Sequence, residues 1–190
     1  QAETIVRGTK TLALEIGANG AEIIRTVQEI TQSQLSLAEA SASINIALSA
    51  GFNTEQIEGL TEVSMKASRA LGRTLTDAFT RVTRGAAKLE PELLDELGIF
   101  TRIDPAVEAY AAKLNVATSS LTKYEKRQAF VNAVIEEGQK KFSTIDTAVP
   151  SSQKSIEQLM VALTDLATDF GQIIANVLTP PANFFSKNLG

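Results

Sequence analysis

A chain of 190 residues with 44% hydrophobic residues is long enough to bury a core, and a net charge of −4 sets its overall field against nucleic-acid phosphate. It contains no histidine, cysteine or tryptophan, which excludes disulfides, the usual zinc, haem and iron-sulfur ligand sets, and every Ser-His-Asp or Cys-His nucleophile. Aromatic residues make up only 5%, so a core must rest mainly on Leu, Ile, Val and Ala, as in helices packed along thin seams.

Gln1 is not an initiating methionine, and the first residues lack the basic start, apolar run and cleavage site of a signal peptide. A fragment or processed product is expected. The first long helical segment is predicted from Glu3 to Ala50, with Gly8, Gly17 and Gly20 as interior breakers and Gly51 as its stop. Within it, Ile23, Val27, Ile30, Gln34, Leu37, Ser41, Ile44 and Leu48 follow alternating steps of four and three. That spacing is a heptad seam, interrupted at Gln34 and Ser41 by residues that can set register. Ile23, Val27, Ile30, Leu37, Ile44 and Leu48 are therefore candidate self-association positions; the alternative is a helix that packs within its own chain.

After Gly51 the pattern changes to short helices with marked ends, which places a domain boundary near residue 51. Asn53 and Gln56 have capping-box spacing, and Ile57, Leu60, Val63 and Leu71 lead to a stop at Gly72. Thr74 and Asp77 start a helix through Leu75, Phe79 and Val82 to Gly85. Pro91 opens a helix from Glu92 to Leu97, ended by Gly98. The run Ile99 to Ile103 is rich in β-branched and aromatic residues, so a short extended segment competes there with a linker. Asp104-Pro105 begins a helix carrying Val107, Tyr110 and Leu114, with Asn115 as terminator; Thr122 and Glu125 form a second capping box, opening a helix through Phe130, Val131, Val134 and Ile135 to Gly138.

Residues 139–151 are polar and read as a connection to a last amphipathic helix, capped by Ser151 or Ser152. Ile156, Leu159, Leu163, Leu166, Phe170, Ile173 and Val177 form its candidate partner-packing stripe, widened by Met160 and Ile174. Glu157, Asp165 and Asp169, with Pro180-Pro181 beyond, argue against a membrane-spanning segment. Phe184-Phe185 in the tail suggests a chain that continues. The expected architecture is all-α: long N-terminal helices with a possible coiled coil over 1–50, a module of short helices over 51–145, and a connection with a long amphipathic helix and tail over 146–190.

The strings from Ala47 to Asp104 and from Ala109 to Phe142 resemble a region that recurs in tail tape measure proteins of long-tailed bacteriophages. The most specific pieces are Arg84-Gly85 with the following Glu90-Pro91-Glu92-Leu93-Leu94-Asp95-Glu96-Leu97-Gly98-Ile99, and the run Leu121 to Ala133. The resemblance implies a structural, non-enzymatic virion protein that sets tail length during assembly and takes part in genome ejection. Its implied location is the tail lumen or tip, and the host cell envelope during infection. The implied partners are parallel copies of itself, tail tube and distal tail or hub proteins, tail assembly chaperones, and the host membrane or phage DNA during ejection. A ruler of this kind suits α-helix, in which length is proportional to residue number at ~1.5 Å per residue.

Lys66, Arg69, Arg73, Arg81, Arg84 and Lys88 form a basic stripe with Asp77 as its only acid. Phosphate contact, with DNA or lipid head groups, is one reading. The other is pairing with the acidic stretch Glu90, Glu92, Asp95, Glu96, Asp104 and Glu108 that follows at once. Acids at a helix start complement its dipole, and no nucleophile or calcium-loop spacing accompanies them. Gly17-Ala18-Asn19-Gly20 lacks the Lys-Ser/Thr of a phosphate loop and reads as a helix break. No catalytic residue, metal or cofactor is assigned.

Overall fold

A computed structural model describes residues 2–145 and residue 161, and every regular element among them is helical. The helices are α1 (Ala2–Glu15), α2 (Gly20–Ile30), α3 (Leu37–Ser49), α4 (Thr54–Leu71), α5 (Leu75–Lys88), α6 (Pro91–Asp95), α7 (Ile103–Leu114) and α8 (Lys123–Lys141), with one turn of 3₁₀ helix at Thr118–Ser120. None of them is long and apolar enough to cross a membrane. The expected amphipathic helix over 156–177 lies outside the described residues.

Most starts and stops follow from local chemistry. Asn53 with Gln56 and Thr122 with Glu125 close full capping boxes, and Thr74 accepts from the Asp77 backbone N–H. At the predicted stops Gly51, Gly72, Gly98 and Asn115 the chain turns left-handed, with φ 63° at Gly72 and 57° at Asn115. Each turn ties the last carbonyls to the N–H groups just beyond, for example Arg73 N to Ser68 O at 2.9 Å and Val116 N to Ala111 O at 3.1 Å. Ile99 to Arg102 is irregular, not a strand, and Ile103 already belongs to α7.

Three expectations need correction. The segment Glu3 to Ala50 is not one helix but three, broken at Gly17 and again over 31–36. The second break was hidden because Leu35, at 0% exposure, plugs the core from the connection itself, while Ser36 and Glu39 form a capping box that restarts the helix. Gly85 and Gly138 are not stops. Both lie inside helices, where they admit a neighbouring side chain: a Cβ on Gly85 would lie 2.9 Å from Leu94 Cγ, and one on Gly138 would fall against the methyl groups of Val63.

The boundary expected near residue 51 is likewise not a division of the structure. One apolar cluster runs from Ala13 to Phe142 across it, with Phe52, Phe79 and Phe130 among its largest fully buried side chains. Helix α5 is central, packing on α3, α4, α6 and α8; α1 lies against α2 and α3, and α7 against α8. Small polar residues allow this close packing because they return hydrogen bonds to their own helix. Thr61 Oγ1 donates to Ile57 O at 2.7 Å and Ser64 Oγ to Leu60 O at 2.6 Å, both buried.

Candidate interaction surface

The predicted self-association positions are divided between two helices. Ile23, Val27 and Ile30 sit on α2, while Leu37, Ile44 and Leu48 sit on α3. Ile23, Val27, Ile44 and Leu48 are buried in the chain's own core, Ile30 is half-buried, and only Leu37 is exposed, at 38%. The intervening turn interrupts the seam between α2 and α3, and Ile23, Val27, Ile44 and Leu48 serve intrachain packing. The second predicted stripe, Ile156, Leu159, Leu163, Leu166, Phe170, Ile173 and Val177, lies outside the described residues.

The basic stripe is brought together with acids. Arg73 and Arg81 bracket Asp77 at 2.9 and 2.8 Å, and Arg81 also reaches Glu96 at 2.6 Å. Arg73 lies 3.9 Å from the same Glu96, and Arg84 lies 3.7 Å from Glu90. Pairing with the acidic stretch is thus realised for Arg73, Arg81 and Arg84 through Glu90 and Glu96, whereas Asp95 pairs with Arg102 instead, at 2.7 Å. Partial burial tends to raise the Asp77 carboxyl, but hydrogen bonds from Arg81 and Arg73, with their charges, hold it below the ordinary value of 3.8. The hydrogen bond to Asp77 in turn raises Arg81. Lys66 and Arg69 are half-buried on α4, and Lys88 is exposed at the end of α5.

Lys88 acquires a cationic neighbour that its position in the chain does not announce. It lines a shallow groove with Arg127 of α8, and the Arg127 guanidinium donates to Ala50 O at 3.2 Å, at the C-terminal end of α3. That placement suits a cation because helix C-termini carry partial negative charge. Beside it, α8 is fastened to the α3–α4 turn by amides. Gln56 Nε2 donates to Gln128 Oε1 at 2.7 Å and to Asn132 Oδ1 at 2.8 Å, and Gln128 Nε2 donates to Gly51 O at 3.0 Å.

The amide relay opens onto a cleft of about 430 Å³, lined also by Glu55, Tyr110 and Tyr124. Sequence reasoning assigned Gln56 only its cap; the partners of its amide lie 72 and 76 residues along the chain. Their one local signal is the i,i+4 spacing of Gln128 and Asn132, which puts both amides on one face of α8. Among the described residues no group of three or more acidic side chains is placed to hold a metal ion. No protein-family model matches this chain, and no solved structure matches it.

Proposed function

We propose that this chain is a folded helical module of a bacteriophage tail tape measure protein, structural and non-enzymatic, acting in tail assembly and genome ejection. One observation carries the reading. The most specific resembling string, Arg84 to Ile99, is a single tertiary unit: Arg84 pairs with Glu90, Gly85 receives Leu94, and Leu94, Leu97 and Ile99 are fully buried in the shared core. Mutually supportive contacts of this kind favour keeping such a string together as a unit. Self-association in the tail lumen, contacts with tube, hub and chaperone proteins, and engagement of host membrane or DNA during ejection belong to the same proposal.

The folded core makes the proposal specific about length. Residues 2–145 drawn out as one helix would span about 216 Å at ~1.5 Å per residue, whereas α8, the longest described helix at 19 residues, spans about 28 Å. An in-frame deletion of residues 2–145 in the phage that encodes the chain, read by electron microscopy of tails, tests this. Shortening of no more than roughly 30 Å is expected for a module that stays folded. Shortening near 216 Å refutes the folded form and supports an extended ruler. Absence of the chain from purified virions by mass spectrometry refutes the tail assignment altogether.

A further inference from the structure

A cleft lies between α4, α7 and α8, and its chemistry is independent of any role in a tail. Tyr124 supplies an aromatic platform. Tyr124 is 54% exposed, and the Cε2 edge of its ring lies against Gly51, where a Cβ would come within 2.7 Å of Cε2; the phenol also donates to Gly51 O at 3.4 Å. The turn holds the ring by its edge, and much of the side chain remains exposed. Exposed, immobilised aromatic faces bind the apolar faces of small ligands at low entropic cost.

Polar groups line the cleft beside that ring. Gln56 is almost wholly buried and uses both amide hydrogens, on Gln128 and Asn132, which sets the orientation of each. Asn132, Glu55 and Tyr110 line the cleft as well, and offer an amide, a carboxylate acceptor and a phenol that can donate or accept. No Lys or Arg lines the cleft, so a phosphate or carboxylate ligand would meet only Glu55 and no counter-charge. A volume of about 430 Å³ falls within the usual range for small-molecule sites.

Closely spaced donors and acceptors beside an aromatic face match a ring that carries hydroxyl groups at its edge and C–H groups on its faces. We infer that this cleft binds a neutral pyranose sugar, stacked on Tyr124 and hydrogen-bonded by Asn132, Glu55 and Tyr110.

The chain has two tyrosines and no tryptophan, and both tyrosines line the cleft, so intrinsic fluorescence reports on this site. The 190-residue chain would be titrated with methyl glucoside and methyl N-acetylglucosaminide, following tyrosine emission and backbone amide NMR shifts. Glucuronate and tetramethylammonium serve as anionic and cationic counterparts. Saturable binding of at least one neutral glycoside is expected, weakened about tenfold by Tyr124→Ala, largely retained in Tyr124→Phe, and weakened by Glu55→Gln at an exposed position that leaves the fold intact. Circular dichroism of each variant separates loss of site from loss of fold. No saturable response to either glycoside, an equal or stronger response to glucuronate or tetramethylammonium, or unchanged affinity in a folded Tyr124→Ala variant would each overturn the inference.

Discussion

Replacing Gly138 with alanine sets two physical effects against each other. Inside a helix, glycine is worse than alanine by about 1 kcal/mol because of its greater backbone entropy, so propensity alone favours Gly138→Ala. The packing opposes it. Gly138 is buried on α8, and the added Cβ would meet the side chain of Val63 on α4, a residue with 0% exposure. A β-branched side chain has one strongly preferred helical rotamer, so Val63 cannot swing aside cheaply. Overpacking of this kind costs roughly 1–3 kcal/mol. The expected net effect is a destabilisation of up to about 2 kcal/mol, read from urea unfolding followed by far-UV circular dichroism.

A double-mutant cycle isolates the contact. Val63→Ala alone should cost about 2 kcal/mol, and adding Gly138→Ala to it should recover about 1 kcal/mol or more, because the new methyl then enters the space vacated. Gly59 is a milder case. Its Cβ would lie 2.9 Å from Ile135 Cγ2, and Ile135 is β-branched too but only half-buried, so it can yield by a small shift toward solvent and Gly59→Ala should cost less than Gly138→Ala. If Gly138→Ala stabilises the protein by about the full propensity gain, the close approach of α4 and α8 at this point is refuted.

Acid should destabilise the chain through Glu39 and Asp77. Burial tends to raise Glu39, but hydrogen bonds from Ser36 and Thr76 bring it below its ordinary value of 4.5. Asp77 is lowered from 3.8 by its arginines, against burial. A carboxyl lowered in the folded state binds fewer protons there than when unfolded, so its contribution is present above those ordinary values and is lost as pH falls through the depressed folded ones. Unfolding free energy measured against pH should therefore drop on acidification, and Glu39→Gln with Asp77→Asn should flatten the curve; an unchanged curve would refute the assignment. Arg81→Ala should cost no more than about 1 kcal/mol and less in high salt, since the pair with Glu96 is partly exposed; a larger, salt-independent loss would contradict this. Because Arg73, Arg81 and Arg84 already face acids, the isolated chain should bind duplex DNA and anionic vesicles weakly even at low ionic strength. Tight, steeply salt-dependent binding in a vesicle or DNA titration would revive phosphate contact as their role. Asn115→Gly should leave stability unchanged or raise it by about 0.5–1 kcal/mol by melting temperature, whereas Asn115→Val should lower it, because the φ of 57° there strains a β-branched residue.

The helical class, the absence of Cys and His chemistry, and the ends of most helices were legible in the sequence because each depends on composition or on residues a few positions apart. Capping boxes at Asn53 and Thr122 and left-handed stops at Gly51, Gly72, Gly98 and Asn115 are local events, complete within one turn of chain. The capping box at Ser36 and Glu39 was equally local, yet apolar spacing that ran in register through the break at 31–36 masked it. A periodic pattern shows which positions seek burial, not whether the helix carrying them is continuous, nor whether the surface they meet belongs to another copy or to the same chain.

Only the tertiary structure decided those points, because they depend on elements distant in the chain. It turned Ile23, Val27, Ile44 and Leu48 inward to a core shared with α4, α5 and α8, and so erased the expected boundary at residue 51. It placed Gly85 and Gly138 inside helices as points of close approach, where the sequence alone suggested stops, since a glycine that ends a helix and one that admits a neighbour look alike until the neighbour is present. It also divided the basic stripe among Asp77, Glu90 and Glu96, and joined Gln56 to Gln128 and Asn132. Helix ends are set by hydrogen bonds within a turn or two of backbone, and the sequence by itself determines them; surfaces are set by what long-range packing covers, and that packing is decided only when the chain folds.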